Sequence, residues 1–432
     1  MGFVDDVYLE VARDALRWVA GAAVPAEGGV RWPWDLTPGA RLADDVYDGT
    51  AGVLISFCEA RASGLSEFDD VAAQAAGRLR WVAAHADRWA ADKAAADPDG
   101  ESDWTGLYGG IAGHATALRM WVQVSGDSEP ATEGIERLAE IGLGGRANRY
   151  NDIISGEAGM LVVLADASDL DHAAAATAAI ADRLVAEAVW EHGEPDWDIC
   201  AGYPYRMPGF SHGAAGIGFA LARAGSALDR PDLIDVAVVA ANRLVRLGTR
   251  PDGTLLVPNR GAATPPDDPV SYGWCHGPTG TLRLFALLEQ LRPGQGWAAR
   301  AEACRRAVRA SGLPARLFPG FWDNLGQCCG TAGVAEMALD AYQESSDPEW
   351  LAWADTLAED ILSRRVSDDA GVRWSHTEFR ADPPELPPAV GWMQGAAGIA
   401  GFLARLARVH ADGPAARQLA WPDQVVIGAP AA

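Results

Sequence analysis

Two kinds of helical pattern alternate along the 432-residue chain. Val53 to Ala62, His114 to Val124, Met160 to Ala167, Ile217 to Ala227, Thr281 to Leu291, Val334 to Glu344 and Ile399 to Ala411 are apolar on most faces, as buried helices are. Amphipathic stretches lie between them, among them Glu10 to Ala22, Phe68 to Ala90, Ala173 to Trp190, Asp232 to Leu247, Trp297 to Ala310 and Glu349 to Ser363. In these, Arg, Asp and Glu hold one side and Val, Leu and Ala the other. Fully buried helices alternating with half-buried ones predict an all-α fold, an inner ring wrapped by an outer ring.

The apolar stretches share one signature. A Gly-x-x-Gly step precedes each: Gly49/Gly52, Gly110/Gly113, Gly156/Gly159, Gly213/Gly216, Gly277/Gly280, Gly330/Gly333 and Gly395/Gly398. The first and last copies lie 346 residues apart, so the mean interval is about 58 residues, a helical hairpin and a generous loop. Seven such hairpins account for nearly the whole chain and predict a single domain over 1–432, although length alone suggests two or three. The double ring gathers all seven turns at one end, where most of the glycines serve to cap and pack the inner helices. Polar, Pro-rich connections from Gly28 to Leu42, Glu191 to Phe210, Pro251 to Tyr272 and Val366 to Val390 are long enough to carry substrate contacts. The tail from Pro422 is expected to be irregular.

Composition narrows the function classes. The formal charge of −24 is spread without clusters of Lys and Arg, which argues against nucleic acid and anionic membrane surfaces as partners. The acidic start, Met1-Gly2-Phe3-Val4-Asp5-Asp6, lacks the basic and apolar segments of a signal peptide, and no apolar run reaches membrane-spanning length. A cytoplasmic location follows as the expectation. Six cysteines are few for a disulfide framework in so long a chain and read instead as buried thiols, catalytic groups or metal ligands.

What precedes the first glycine separates the turns. Copies one, two and seven offer Asp48, Gly109 and Gln394, whereas copies three to six offer Asp152 with Ser155, Ser211-His212, Cys275-His276 and Cys328-Cys329. The chemistry is therefore expected in adjacent repeats three to six. Thiols at helix entrances meet unpaired N–H groups and the positive end of the dipole, which favours the thiolate. Cys275, Cys328 and Cys329 could form a zinc site with an open fourth position, with His276 as an alternative third ligand to Cys329. Cys58, Cys200 and Cys304 lie away from the turns and read as core thiols. His212 is the leading general acid or base, because imidazole titrates near neutrality. Asp152 either orients that base or caps its helix, and His114 is expected only to pack.

The seven turns, the Trp-Cys-x-Gly run Trp274 to Gly277, the Cys-x-Gly run Cys328 to Gly330, Asp152-Ile-Ile-Ser-Gly156 and Ser211-His212-Gly213 resemble the lanthionine synthetase C-like family over almost the entire chain. The resemblance implies an α/α toroid, or double barrel, of seven inner and seven outer helices. It implies zinc held by Cys275, Cys328 and Cys329, the last standing where many members have His. It also places His212 and Asp152 at the active-site His and Asp positions. Two departures stand out. His276 occupies the place of a Tyr in better-known bacterial members, and residues Gly261 to Gly273 contain no counterpart of their Arg.

The activity implied is addition of peptide cysteine thiols to dehydroalanine or dehydrobutyrine, forming thioether rings in a ribosomally made precursor, with His212 handling the proton. No kinase-like glycine-rich loop or lyase domain accompanies the repeats, so dehydration is expected from a separate dehydratase or kinase/lyase protein. The implied partner is a dehydrated precursor peptide. The alternatives are addition of a small thiol such as glutathione to dehydroamino acids in proteins, or a non-catalytic peptide-binding protein on the same scaffold.

Overall fold

The computed structural model describes residues 2–96, 104–127, 131–145, 149–261, 270–315, 324–377, 382–419 and 421–424. Parts of two expected loops, residues 262–269 and 378–381, and the tail beyond Gln424 lie outside the described residues. Helices dominate. In chain order they are α1 (Gly2–Gly21), α2 (Thr50–Ala62), α3 (Asp69–Ala84), α4 (Ala86–Ala96), α5 (Ile111–Ser125), α6 (Thr132–Leu143), α7 (Glu157–Ala165) and α8 (Asp171–Ala186). They continue with α9 (Ala214–Ala227), α10 (Pro231–Gly248), α11 (Pro278–Leu291), α12 (Trp297–Arg309), α13 (Thr331–Ser345), α14 (Pro348–Ser363) and α15 (Ala396–Asp412).

The seven apolar stretches are α2, α5, α7, α9, α11, α13 and α15, and each starts directly after the first glycine of its signature. That is three residues earlier than the apolar pattern predicts, because the x-x pair and the second glycine form the first helical turn. All nine residues of α7 are buried. The remaining helices are the amphipathic set, with the expected Phe68–Ala90 helix broken at His85 into α3 and α4. Counting α3 with α4 gives seven amphipathic partners for seven apolar helices among the described residues. The partner between α5 and α7 is α6, whose Ile135, Leu138 and Ala139 are buried.

The described residues group into two compact units. One comprises Met1–Trp81, Ala117–Ala131 and Gly312–Ala420, the other Val82–Thr116, Thr132–Ser311 and Trp421–Ala432. In the first, α15 packs against α1, α2 and α13, and α14 backs α13. In the second, α9 packs between α7 and α11, with α8, α10 and α12 behind them.

The expected loops are partly ordered as antiparallel hairpins. Strands β1 (Val24–Ala26), β2 (Gly29–Pro33) and β3 (Leu42–Ala43) form one sheet, and β4 (Val189–Glu191) pairs with β5 (Glu194–Asp196). Further along, β6 (Val366–Asp368) pairs with β7 (Gly371–Arg373) and β8 (His376–Thr377) with β9 (Glu385–Leu386). Three hairpins end on a buried tryptophan doing the same job. Trp32, Trp197 and Trp374 donate Nε1–H to the carbonyls of Val19, Leu184 and Ile361 at 2.7, 2.7 and 2.8 Å, each thirteen residues upstream. Each acceptor lies near the end of an amphipathic helix, where carbonyls lack intrahelical donors.

The glycine signature has a local steric cause. Behind each first glycine the chain doubles back five or six residues: a Cβ on Gly156 would meet the Tyr150 carbonyl, on Gly330 that of Asn324, and on Gly395 that of Ala389. The second glycines repeat this, Gly159 against Ile153, Gly280 against Trp274 and Gly333 against Gln327. Gly213 is the tightest, with its missing Cβ falling on the Met207 carbonyl oxygen. Backbone cannot move aside as a side-chain tip can, so Gly213→Ala is expected to cost at least about 1–3 kcal/mol. Denaturant unfolding beside Gly21→Ala, where a Cβ meets nothing within 4 Å, checks this; the control is expected to stay within about 0.5 kcal/mol of wild type.

Candidate metal centre and active site

The residue two before each first glycine occupies one structural register. In one unit the Tyr108 N–H donates to the Ile154 carbonyl at 3.0 Å and the Ser211 N–H to the Cys275 carbonyl at 2.9 Å. In the other, the Cys328 N–H donates to Met393 at 2.9 Å and the Met393 N–H to Tyr47 at 3.0 Å. Neighbouring turns are thus joined backbone to backbone, position for position. Cys275 and Cys328 share this register, with His276 and Cys329 one residue later.

The same folding-back changes one expectation. At the start of α13 the N–H groups of Thr331, Ala332 and Gly333 donate to the carbonyls of Asn324, Leu325 and Gly326 at 3.2, 3.2 and 3.3 Å. These N–H groups are used by the turn and are not open to a thiolate. What remains for the cysteines is the dipole.

Asp152 and His212 meet across sixty residues of sequence, Oδ2 lying 2.5 Å from the imidazole Nδ1. The other Asp152 oxygen accepts from the Ser155 N–H at 2.7 Å. Asp152 is fully buried, whereas the His212 side chain is 30% exposed, so the ring is anchored on one edge and reachable on the other. A carboxylate on Nδ1 selects the Nδ1–H tautomer and makes Nε2 the basic nitrogen. The His276 ring centroid lies 5.9 Å from that of His212, tilted by 34°. Gly209 permits this crowding, since a Cβ there would meet the Cys275 carbonyl and His276 Cα, both at 2.9 Å.

The sulfurs of Cys275, Cys328 and Cys329 lie within 4.8 Å of one another, and these three cysteines close together could hold a metal ion. Cys328 and Cys329 sulfurs are 3.4 Å apart. Tetrahedral zinc with Zn–S bonds of about 2.3 Å spaces its sulfurs by about 3.8 Å, so the donor set fits zinc in type and spacing. Cys275 and Cys328 are buried and Cys329 is partly open.

Tyr47 is a site residue that sequence reasoning missed. Its hydroxyl donates to the Cys328 sulfur and accepts from Gln394 Nε2 at 2.8 Å. Burial first, then the neighbouring Cys328 and Cys329, hold that hydroxyl well above the ordinary tyrosine value, so it stays protonated and a donor. The available signal was position: Tyr47 stands two residues before its glycine, as Cys275 and Cys328 do.

The remaining candidates fall elsewhere. Cys58, Cys200 and Cys304 are buried thiols, and burial pushes the first and last above the ordinary thiol value. His114 is buried edge-on to Trp89, ring centroids 4.9 Å apart. Trp274 is packed with Tyr108 and Phe210 at ring distances of 4.7 and 5.8 Å. No described helix is long and apolar enough to cross a membrane.

The family model described as lanthionine synthetase C-like protein matches residues 41–412. No curated protein sequence matches the chain. Among solved structures, a nisin cyclase superposes with a TM-score of 0.53 at 15% identity, over 84% of this chain and 88% of that one. A glycoside hydrolase family 76 α-mannanase of Bacteroides thetaiotaomicron gives 0.52 at 10% identity, over 94% and 100%. A D-mannose isomerase gives 0.50 at 12% identity, over 95% and 100%. At such identities the likeness establishes the fold alone, the all-α α/α toroid that these enzymes share.

Proposed function

The chain belongs to the lanthionine synthetase C-like family, and from that premise we propose that it is a zinc-dependent peptide cyclase. It would add cysteine thiols to dehydroalanine or dehydrobutyrine of a dehydrated precursor peptide, giving lanthionine or methyllanthionine rings. The observation that carries this reading is the convergence of three cysteine sulfurs within 4.8 Å, a donor set with a fourth position left for a substrate thiol.

Cys275, Cys328 and Cys329 would hold the zinc, which when bound lowers the pKa of a substrate thiol. His212 Nε2 takes the proton from that thiol, and the sulfur then forms its bond to the β-carbon. His212 returns the proton to the α-carbon, so the ring closes without change in mass. Asp152 fixes the His212 tautomer and steadies the imidazolium through Nδ1–H. His276, whose ring lies 5.9 Å from that of His212, would supply a polar contact to the enolate oxygen in a chain that lacks the Arg before Trp274. One cyclase domain over 1–432 is the reading supported by the family match, which runs unbroken over residues 41–412. Six free thiols suit a reducing, cytoplasmic setting, and a separate dehydratase or kinase/lyase protein would prepare the peptide.

The test is incubation of the zinc-loaded protein with a dehydrated cysteine-containing peptide. Loss of free thiols at constant mass supports cyclisation. A gain of one glutathione mass when that thiol is present identifies intermolecular addition instead. Binding without either change identifies a peptide-binding protein.

Three thiolates leave a zinc site at a net −1, against zero for two thiolates and a neutral His. The extra charge makes a bound substrate thiolate more nucleophilic. Cys329→His is therefore expected to keep zinc and cyclise about tenfold more slowly, the scale at which near neighbours tune a metal site. Single-turnover rates at saturating peptide check it, and an unchanged or faster rate would refute the charge argument.

A further inference from the structure

Nothing in the sequence past Pro422 predicts an element, yet Asp423 is fully buried. One of its carboxylate oxygens, Oδ2, accepts from the Tyr108 hydroxyl at 2.5 Å and from the Trp274 indole N–H at 3.1 Å. Arg283 binds Oδ1 and also donates to the Asp423 main-chain carbonyl at 3.0 Å. Trp421 completes the anchor, its indole N–H donating to the Tyr108 hydroxyl at 2.8 Å. A buried carboxylate is costly unless it is paired and hydrogen-bonded, and here one guanidinium and two neutral donors satisfy it.

The object of this arrangement is the turn that carries Cys275. Trp274 is the residue before that cysteine, and its indole is held on its N–H by Asp423 and against its rings by Tyr108 and Phe210. The Cys275 carbonyl is held by the Ser211 N–H at 2.9 Å. Between these two restraints the Cys275 backbone has little room to turn. A strap serving only to anchor α11 would need Arg283 alone; the indole bond aims at the neighbour of a candidate ligand.

We propose that Asp423 is a positioning residue for the metal centre: by fixing the Trp274 indole through the strap Trp421–Gln424, it sets the direction in which Cys275 presents its sulfur. The proposal rests on the zinc reading above for its metal readouts but not for its thiol readout. Metal ligands are commonly aimed by groups that do not touch the metal, and loss of such groups typically weakens binding about 10–100-fold.

The experiment uses full-length Asp423→Asn and Trp274→Phe. The first keeps the shape and removes the charge; the second removes the indole N–H together with part of the ring packed on Tyr108 and Phe210, and leaves Asp423 with Tyr108 and Arg283. Three quantities are read: zinc affinity by chelator competition, the visible spectrum of the cobalt(II)-substituted protein, and iodoacetamide labelling of Cys275 in zinc-free protein by peptide mass spectrometry. Both variants are expected to keep wild-type helicity, bind zinc about tenfold more weakly, shift the cobalt bands and label Cys275 several-fold faster. Wild-type values for all three in a folded variant would overturn the proposal. If Asp423→Asn does not fold, Trp274→Phe decides alone. If the wild type binds no zinc, the zinc reading falls, while the Cys275 labelling rate still supports or overturns the strap.

Discussion

Alanine at Cys275, Cys328 or Cys329 is expected to take bound zinc from about one ion per chain to well below one in each single variant. Each sulfur is one of the three that converge within 4.8 Å among the described residues. Losing one leaves two protein ligands, and the fall in affinity should exceed the roughly 10–100-fold typical of groups that merely orient a ligand. The fold should survive, because each change removes one small side chain from a turn that is held by backbone hydrogen bonds. Cys304→Ala provides the contrast: that thiol lies buried in α12 and its loss should leave the zinc content unchanged. Elemental analysis of protein purified without chelator reads all four. Zinc retained in Cys329→Ala but lost in His276→Ala would transfer the third ligand to His276. Zinc absent from the wild type, with helicity intact, would favour the peptide-binding alternative over the cyclase.

His212→Asn is expected to reduce cyclisation by about 10²–10⁴-fold, the usual contribution of a positioned general acid or base, while zinc stays bound. The separation of the two effects is the point. His212 is tied to Asp152 at 2.5 Å and is not among the three clustered sulfurs. Asp152→Asn should also lose rate with zinc retained, since an amide on Nδ1 no longer selects the productive tautomer. Single-turnover cyclisation of a dehydrated peptide, with metal content measured on the same samples, checks both. If His212→Asn cyclised at the wild-type rate, proton handling would have to move to His276, whose ring lies 5.9 Å away.

Much of this protein could be read before any coordinates, and the reasons are local. Burial on every face or on one face leaves its mark within a dozen residues, so the alternation of apolar and amphipathic helices was visible, whereas α6 (Thr132–Leu143) was not among the stretches read from it. The Gly-x-x-Gly signature is equally local, because the backbone that excludes a Cβ at Gly156 or Gly330 lies only six residues upstream. Helix starts were misplaced by three residues for the same reason, since the turn and the first helical turn share those glycines. Ranking the turns by their flanking residues found Asp152, His212, Cys275, Cys328 and Cys329, and the structure brings the acid to the imidazole and the three thiols together.

The partners of those residues were not legible. Tyr47 donates to Cys328 from the far end of the chain, and Asp423 reaches Trp274 across 149 residues. Tyr47 is marked only by its place two residues before its glycine, and nothing around Asp423 marks it apart from other buried polar groups, because a contact between distant segments imposes no period and no spacing on the chain. The three tryptophan anchors at Trp32, Trp197 and Trp374 form an intermediate case. Their thirteen-residue offset is written in the sequence, but the hairpin that gives the offset a meaning exists only once helix and strand are packed. Short-range sterics and burial thus set which residues line the turns. Long-range packing sets which atoms face one another there, and chemistry depends on that second choice.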